Sequence, residues 1–226
     1  MNVAIVVAGG KGIRFGGNRP KQFLELNGLP IIIHTLRQFE QSRQIEQVVV
    51  VLAAPEIAHF NSLIEKFTLP KISRVVAGGE TRSQSVRNGL AAIETAGIVA
   101  VHDAVRPLVR PEEIDLVVTV AAETGAAILA APVRDTIKRI DGRQISDTLP
   151  RTALRRALTP QCFRFEILKR ALAQLDDLEA AGVDLTDDSL LVEQLGIAVA
   201  VVEGSARNIK ITTPEDLVVA EALLNI

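Results

Sequence analysis

Short β-branched runs recur along the chain, each followed by a glycine or polar break and then by apolar positions at helical spacing. The first run covers 3–8, where Val3, Ile5, Val6 and Val7 leave no polar position. Strands buried on both faces of a parallel sheet read this way, whereas half-solvated strands alternate. Similar runs at 48–52, 72–77, 98–101, 126–131 and 197–202 predict further strands. Between them the spacing predicts helices over 31–40, 56–67, 83–96, 111–123 and 164–181. In the first of these, Ile31, Ile32, Thr35, Leu36 and Phe39 share a face. Pro30, Pro111 and Pro214 stand where a helix start accepts proline, and Gly182 closes the helix over 164–181. Thr186 is the expected N-cap of a short helix carrying Leu190, Leu191 and Val192. Strand alternating with helix predicts the α/β class: a Rossmann-like, mostly parallel sheet with helices on both faces.

The pattern breaks in two places. Asn27–Gly28 is a tight hairpin signal. Farther on, Val133 to Ile140 alternates in part, turns at Asp141–Gly142 and returns from Ile145 to Leu149. Its many charges argue against burial in its own subunit, so 133–156 is expected to protrude as a β-hairpin arm. The simplest partner for such an arm is a second copy in a two-fold homodimer. The length of 226 residues fits one domain, 1–226.

Composition narrows the classes. The chain is 48% hydrophobic with seven Phe, no Trp and no Tyr, so its core is aliphatic. Charge is nearly balanced, 25 basic against 27 acidic residues, which gives no general affinity for nucleic acid or a membrane surface. One Cys permits no intrachain disulfide, and Cys162 reads as a small buried hydrophobe. The three His form no zinc pattern, and His34 reads as structural. There is no secretory leader pattern and no run of about 18 apolar residues, so a cytoplasmic location is expected.

Candidate chemistry gathers where the predicted strands end. After 3–8 comes Ala8–Gly9–Gly10–Lys11–Gly12, then Arg14 and Lys21. Glycines admit a ligand close to the backbone, and the two cations suit an anion. A P-loop is excluded because no GxxxxGK followed by Ser or Thr occurs. A dinucleotide fingerprint fails as well: Gly10 and Gly12 are present, but Phe15 takes the third glycine place. A mononucleotide or phosphate site survives both tests. Gly78–Gly79–Glu80–Thr81–Arg82–Ser83 enters the helix over 83–96, where Arg82 and Ser85 face a ligand or cap the helix. His102–Asp103–Ala104–Val105–Arg106–Pro107 follows the strand at 98–101, at the edge where open α/β sheets bind ligands. There Asp103 suits a divalent metal and Arg106 a phosphate; the alternative is a simple ion pair between them. Asp184, Asp187 and Asp188 read as capping residues before metal ligands.

Four separated strings complete the picture: AGGKGIRF with RPKQF, GGETRSQSV, VHDAVRP, and ALTPQCF with SARNIKITTPEDL. In this order, over essentially the whole chain, they resemble the bacterial and plastid 2-C-methyl-D-erythritol 4-phosphate cytidylyltransferase family. The resemblance implies a nucleotide-diphospho-sugar transferase type of fold and transfer of a cytidylyl group from CTP to 2-C-methyl-D-erythritol 4-phosphate. Pyrophosphate is released and 4-diphosphocytidyl-2-C-methyl-D-erythritol is formed, in the non-mevalonate route to isoprenoids. It further implies Mg²⁺ or another divalent cation, held at Asp103. Arg14, Lys21, Arg106 and Lys210 match the catalytic cations. Ala8, Gly9, Gly10, Gly12, Gly79, Glu80 and Ser85 match the CTP site. Asp103, Ala104, Arg106, Thr159 and Lys210 match the acceptor site, and Thr136 and Arg151 its contacts from the arm across the dimer. The opening loop departs slightly, with Ala-Gly-Gly-Lys-Gly where many members carry Ala-Ala-Gly-x-Gly, and with Gly16–Gly17 added before Lys21. The rival readings are the related ribitol 5-phosphate cytidylyltransferase and a nucleotide-binding regulatory protein without turnover.

Overall fold

The computed structural model describes residues 1–9 and 20–225. Its first half runs β1 (Val3–Ala8), a small hairpin of β2 (Glu25–Leu26) and β3 (Leu29–Pro30), α1 (Ile31–Gln41), β4 (Gln47–Leu52) and α2 (Ile57–Ile64). It continues through β5 (Ile72–Ala77), α3 (Arg82–Ala91), β6 (Ile98–Asp103) and α4 (Pro111–Thr124). The second half holds β7 (Ala126–Pro132), the arm strands β8 (Ile137–Asp141) and β9 (Gln144–Leu149), and β10 (Arg155–Arg164). Then come α5 (Phe165–Ala173), α6 (Leu175–Ala180), α7 (Asp188–Glu193), β11 (Ala200–Glu203) and α8 (Pro214–Leu224).

Seven strands form the main sheet in the order β11-β7-β10-β6-β1-β4-β5. β1 pairs in parallel with both β4 and β6, and β5 and β11 extend the two wings in parallel. Only β10 runs antiparallel, wedged between β6 and β7. The strand period of two sends alternate residues to opposite faces. Ala4, Val6 and Ala8 of β1 join Val48, Val50 and Leu52 of β4 in one core, covered by α1, α2 and α4. Val3, Ile5 and Val7 join Val49 and Val51 in the other, covered by α3, α5 and α7. This two-sided burial is why the strand sequences carry no polar alternation.

The Rossmann-like sheet with helices on both faces is thus observed, and several boundaries move. β10 has no counterpart among the predicted strands, because Pro160 argues against an interior strand. In the structure the β7–β10 register breaks between Ala157 and Gln161, so the proline falls in the irregularity. The helix expected over 164–181 is two helices meeting at Gln174, a turn that lets Leu172 and Leu175 bury in the same core. The cap of α7 is Asp187, not Thr186: its carboxylate accepts from the Leu190 amide at 3.0 Å. At the other end, Thr213 caps α8 and Asp216 returns the bond to the Thr213 amide at 2.9 Å, a capping box. Asn27 and Gly28 both take positive φ, 49° and 78°, as a two-residue hairpin turn requires. The arm strands pair with each other alone, and Ile140 and Ile145 face solvent from opposite positions near its tip. No described helix is long and apolar enough to cross a membrane.

Candidate active site

The chain leaves β1 toward β4 on one side and reaches β6 on the other, so the strand order reverses beside β1. Crevices at such reversals, outside the carboxyl ends of the strands, take ligands in open α/β sheets. Ala8 ends β1 and Asp103 ends β6. The loop residues Gly10, Gly12 and Arg14, expected to wrap the triphosphate, lie outside the described residues.

Asp103 is the centre of the site. It is buried, and three cations converge on its carboxylate. Arg82 Nε lies 3.0 Å from Oδ1, while Arg106 Nε at 3.0 Å and Lys210 Nζ at 3.1 Å share Oδ2. Burial by itself raises such a carboxyl, but Arg82, Lys210 and Arg106 outweigh it and hold Asp103 well below the usual carboxylate range. These groups come from α3, β6, the turn after β6 and the segment before α8, so only the fold assembles them. Arg82 also reaches Asp188 of α7, with Nη1 2.8 Å from Oδ2. Burial pushes Asp188 up, against the pull of that guanidinium.

The rest of the site is hung on backbone. Lys21 follows Pro20 in a short 3₁₀ turn, and its ammonium donates to the Ile211 carbonyl at 3.1 Å, next to Lys210. The buried Gln22 amide donates to the Ala8 carbonyl at 2.9 Å and ties this turn to the end of β1. Ser85 Oγ accepts from the Gly79 amide at 3.1 Å and donates to the Thr81 carbonyl at 2.9 Å. A Cβ on Gly9 would meet that same Ser85 oxygen at 3.1 Å, so Ala8, Gly9, Gly79 and Ser85 form one wall. Glu80 stands exposed beside it, its amide donating to Gln84 at 3.1 Å. Ala104 is buried, its amide on the Val7 carbonyl at 2.9 Å and its carbonyl accepting from Thr35 at 2.8 Å. Thr159 Oγ1 accepts from the Asp103 amide at 3.2 Å.

Asp103, Arg106, Thr159 and Lys210 are therefore brought together, with Lys21 alongside. Thr136 and Arg151 stand apart and exposed near the base of the arm; Arg151 donates to the Arg134 carbonyl at 2.9 Å. Among the described residues, neither bonds to the Asp103 group within one chain. The Asp103–Arg106 pair is real, but it is one side of a larger cluster. Asp188 belongs to that cluster and was legible in the sequence only as a cap. The signal was there in Thr186–Asp187–Asp188 ahead of an apolar run: Asp187 caps, and the next acid points inward. Arg82 came with equal claims to capping and binding, and it does neither alone: it bridges the two buried carboxylates. His102 is fully buried, and burial lowers it to about 3, so it is neutral at physiological pH.

Chemically, among the described residues Arg82, Arg106 and Lys210 meet at Asp103 and Asp188, three fixed cations on two carboxylates, a positive balance suited to phosphates. Among the described residues no three His, Cys, Asp or Glu side chains gather as a metal group. Asp103 offers one carboxylate whose oxygens have about four acceptor positions, three of them used. That fits a Mg²⁺ carried mostly by substrate phosphates, which needs one or two protein carboxylates.

The model of the IspD family, 2-C-methyl-D-erythritol 4-phosphate cytidylyltransferase, matches residues 2–226. A protein of that description from Pelotomaculum thermopropionicum is 46% identical over 225 residues, covering 98% of this chain and 93% of its own. One from Halalkalibacterium halodurans is 44% identical over 220 residues, covering 97% and 95%. The crystal structure of a 4-diphosphocytidyl-2C-methyl-D-erythritol synthase from Anaerococcus prevotii superposes with a TM-score of 0.86 at 29% identity, covering 100% of this chain and 96% of the other. That of a 2-C-methyl-D-erythritol 4-phosphate cytidylyltransferase from Thermus thermophilus gives 0.77 at 34% identity, with 100% of both chains covered. With the family model spanning all but the first residue and the fold matched end to end, the chain belongs to the 2-C-methyl-D-erythritol 4-phosphate cytidylyltransferase family.

Proposed function

We propose that the protein transfers the cytidylyl group of CTP to 2-C-methyl-D-erythritol 4-phosphate in the cytoplasm, as a homodimer. The observation that carries this reading is the convergence of Arg82, Arg106 and Lys210 on Asp103, at the carboxyl edge of the sheet, with Lys21 beside them. An acceptor phosphate oxygen is already anionic, so it attacks the α-phosphorus of CTP without a general base. The new bond joins that oxygen to the α-phosphorus; the bond from the α-phosphorus to the bridging oxygen breaks, and the electron pair leaves on pyrophosphate. The neutral, buried His102 agrees with a site that moves no proton.

The barrier is electrostatic. Two like unit charges about 4 Å apart repel by about 4 kcal/mol at an effective dielectric of about 20, and several such pairs meet when a phosphomonoester approaches a triphosphate. Lys21 and Arg14 neutralise the triphosphate as charge passes to pyrophosphate, and Gly10 and Gly12 belong to the same CTP site. Arg106 and Lys210 hold the acceptor phosphate, Thr159 stands behind them with its hydroxyl between the Asp103 amide and His102, and Ala104 shapes the floor. Ala8, Gly9, Gly79, Glu80 and Ser85 hold the cytosine and ribose. Asp103 would hold a Mg²⁺ or another divalent cation, which would supply charge neutralisation for the phosphates. Thr136 and Arg151 complete the acceptor site from the partner's arm, which accounts for their exposure in the single chain.

Pyrophosphate release tests this directly. CTP with 2-C-methyl-D-erythritol 4-phosphate is expected to release it at least about tenfold faster, by kcat/KM, than CTP with ribitol 5-phosphate, a difference of about 1.4 kcal/mol. Preference for ribitol 5-phosphate would reassign the acceptor, and no release with either would leave a nucleotide-binding regulator.

A further inference from the structure

We propose that His102 and Asn208 are positioning residues that preset Arg106 for the acceptor by closing, through Thr159, a buried ring of hydrogen bonds around it. The inference rests on the cytidylyltransferase reading and adds two residues outside its set of substrate-contacting groups.

The ring has four members from three separate parts of the chain. Arg106 Nη1 donates to the Asn208 carbonyl at 3.0 Å. Asn208 Nδ2 donates to the Thr159 carbonyl at 2.8 Å. Thr159 Oγ1 lies 2.9 Å from His102 Nδ1, and His102 Nε2 lies 3.2 Å from the Arg106 carbonyl, which closes it. His102 and Asn208 are wholly inaccessible, and Thr159 nearly so. The His102 ring also packs at 4.9 Å on Phe39 of α1, which anchors it to the core.

One arrangement of protons satisfies the His102 half of this ring. The Arg106 carbonyl only accepts, so His102 Nε2 carries a hydrogen. The Asp103 amide already donates into Thr159 Oγ1, so the hydroxyl's own proton needs an acceptor, and His102 Nδ1 is the one in place. His102 is therefore the Nε2–H tautomer, and the bonds run in one direction: Asp103 N–H to Thr159, Thr159 O–H to His102, His102 N–H to Arg106. This couples the amide of the central carboxylate to the backbone of the arginine three residues on.

The consequence falls on Arg106. Its carbonyl is held by His102, its Nη1 by Asn208 and its Nε by Asp103 at 3.0 Å. Among the described residues its Nη2 makes no hydrogen bond, so a guanidinium fixed in plane keeps donors for an anion. A planar fork set in advance loses less freedom on binding than a mobile one. In the Thr159–Pro160–Gln161 and Arg207–Asn208–Ile209–Lys210 strings, this assigns the asparagine work that the cations beside it do not do.

The test is steady-state kinetics of His102→Phe, His102→Gln and Asn208→Ala in the full-length protein, with CTP and acceptor varied separately. For His102→Phe and Asn208→Ala, kcat/KM for the acceptor is expected to fall about 10- to 100-fold, the scale of a misplaced binding group. KM for the acceptor is expected to rise while KM for CTP stays within about twofold. His102→Gln keeps a donor for the Arg106 carbonyl and is expected to retain more activity than His102→Phe. A loss in kcat alone, with both KM values unchanged, is what fewer folded molecules produce, and it would overturn the proposal. Nitrogen NMR of the ¹⁵N-histidine-labelled protein decides the ring without turnover. His102, assigned by difference from His102→Gln, must show the neutral Nε2–H tautomer; an Nδ1–H or doubly protonated ring would overturn the proposal. If the wild-type protein releases no pyrophosphate, the functional reading fails, and the tautomer still decides the ring.

Discussion

A single buried carboxylate, Asp103, sets the character of the site, and its neighbours show how residues of opposite character coexist there. Three cations hold Asp103 ionised, and one residue away His102 is kept neutral by burial, with Arg106 and Arg82 adding to it against the pull of Asp103. Both shifts are downward, so both residues contribute stability that is present at high pH and lost as pH falls, because the unfolded chain takes up the proton first. The windows differ. His102 acts from its ordinary 6.5 down to about 3. Asp103 acts only below the ordinary carboxylate range, about 4. Urea unfolding at pH 7 and pH 5 therefore reads the histidine alone of the two. The expected loss for the wild type from this group is about 2 kcal/mol across that interval, and His102→Gln should lack it. Asp188, shifted upward, works in the opposite sense but is common to both proteins and cancels in the comparison. Equal losses in the two proteins would show that His102 titrates normally in the folded state.

At the level of elements, glycine placement limits how closely helices approach the sheet. Gly89 of α3 lies against β1 and β4, and a Cβ there would sit 2.7 Å from Ile5 Cγ2 and 2.9 Å from Val51 Cγ2. Helix propensity favours Ala over Gly by about 1 kcal/mol. Overpacking costs about 1–3 kcal/mol, and both obstructing methyls are branched and buried on both sides. The expected net effect of Gly89→Ala is destabilisation, read as a lower urea midpoint; a higher midpoint would mean that α3 shifts outward freely. Because α3 carries Arg82 and Ser85 at its first turns, the same substitution is expected to weaken CTP binding, read as a higher KM. Helix starts were the most legible features of the chain. Pro214 marked the start of α8 because proline's fit to a first helical turn is local. β10 was invisible because its place between β6 and β7 depends on partners far along the chain, and the proline inside it masks the strand pattern.

For the molecule as a whole, the arm is the feature that one chain does not explain. Its strands pair only with each other, Ile140 and Ile145 are about two-thirds exposed, and Arg151 lies at its base. In the dimer reading, one active site draws Lys21 from one subunit and Arg151 from the other. Lys21→Ala and Arg151→Ala should each be nearly inactive alone. Mixed after unfolding and refolding together, they should recover activity in the heterodimer, which carries one intact site. Statistical mixing then predicts about a quarter of wild-type activity, and sizing with light scattering checks that dimers form. Heterodimers without recovery would place Arg151 in its own subunit's site.

The family, the α/β class, the two-sided burial of the strands and most helix starts could be read from residue order, because they rest on local periodicity, turn chemistry and motifs of short span. The gathering of Arg82, Arg106 and Lys210 on Asp103 could not. Nor could the inward turn of Asp188, the antiparallel β10, or the ring through His102 and Asn208. Each joins residues tens to more than a hundred positions apart, and a charge pattern along a chain does not say which charges will share one oxygen. Packing decides that: the sheet order brings the ends of β1 and β6 together, and burial drives the polar groups there to pair, Asp188 Oδ1 and Asn208 Oδ1 being the exceptions among the described residues.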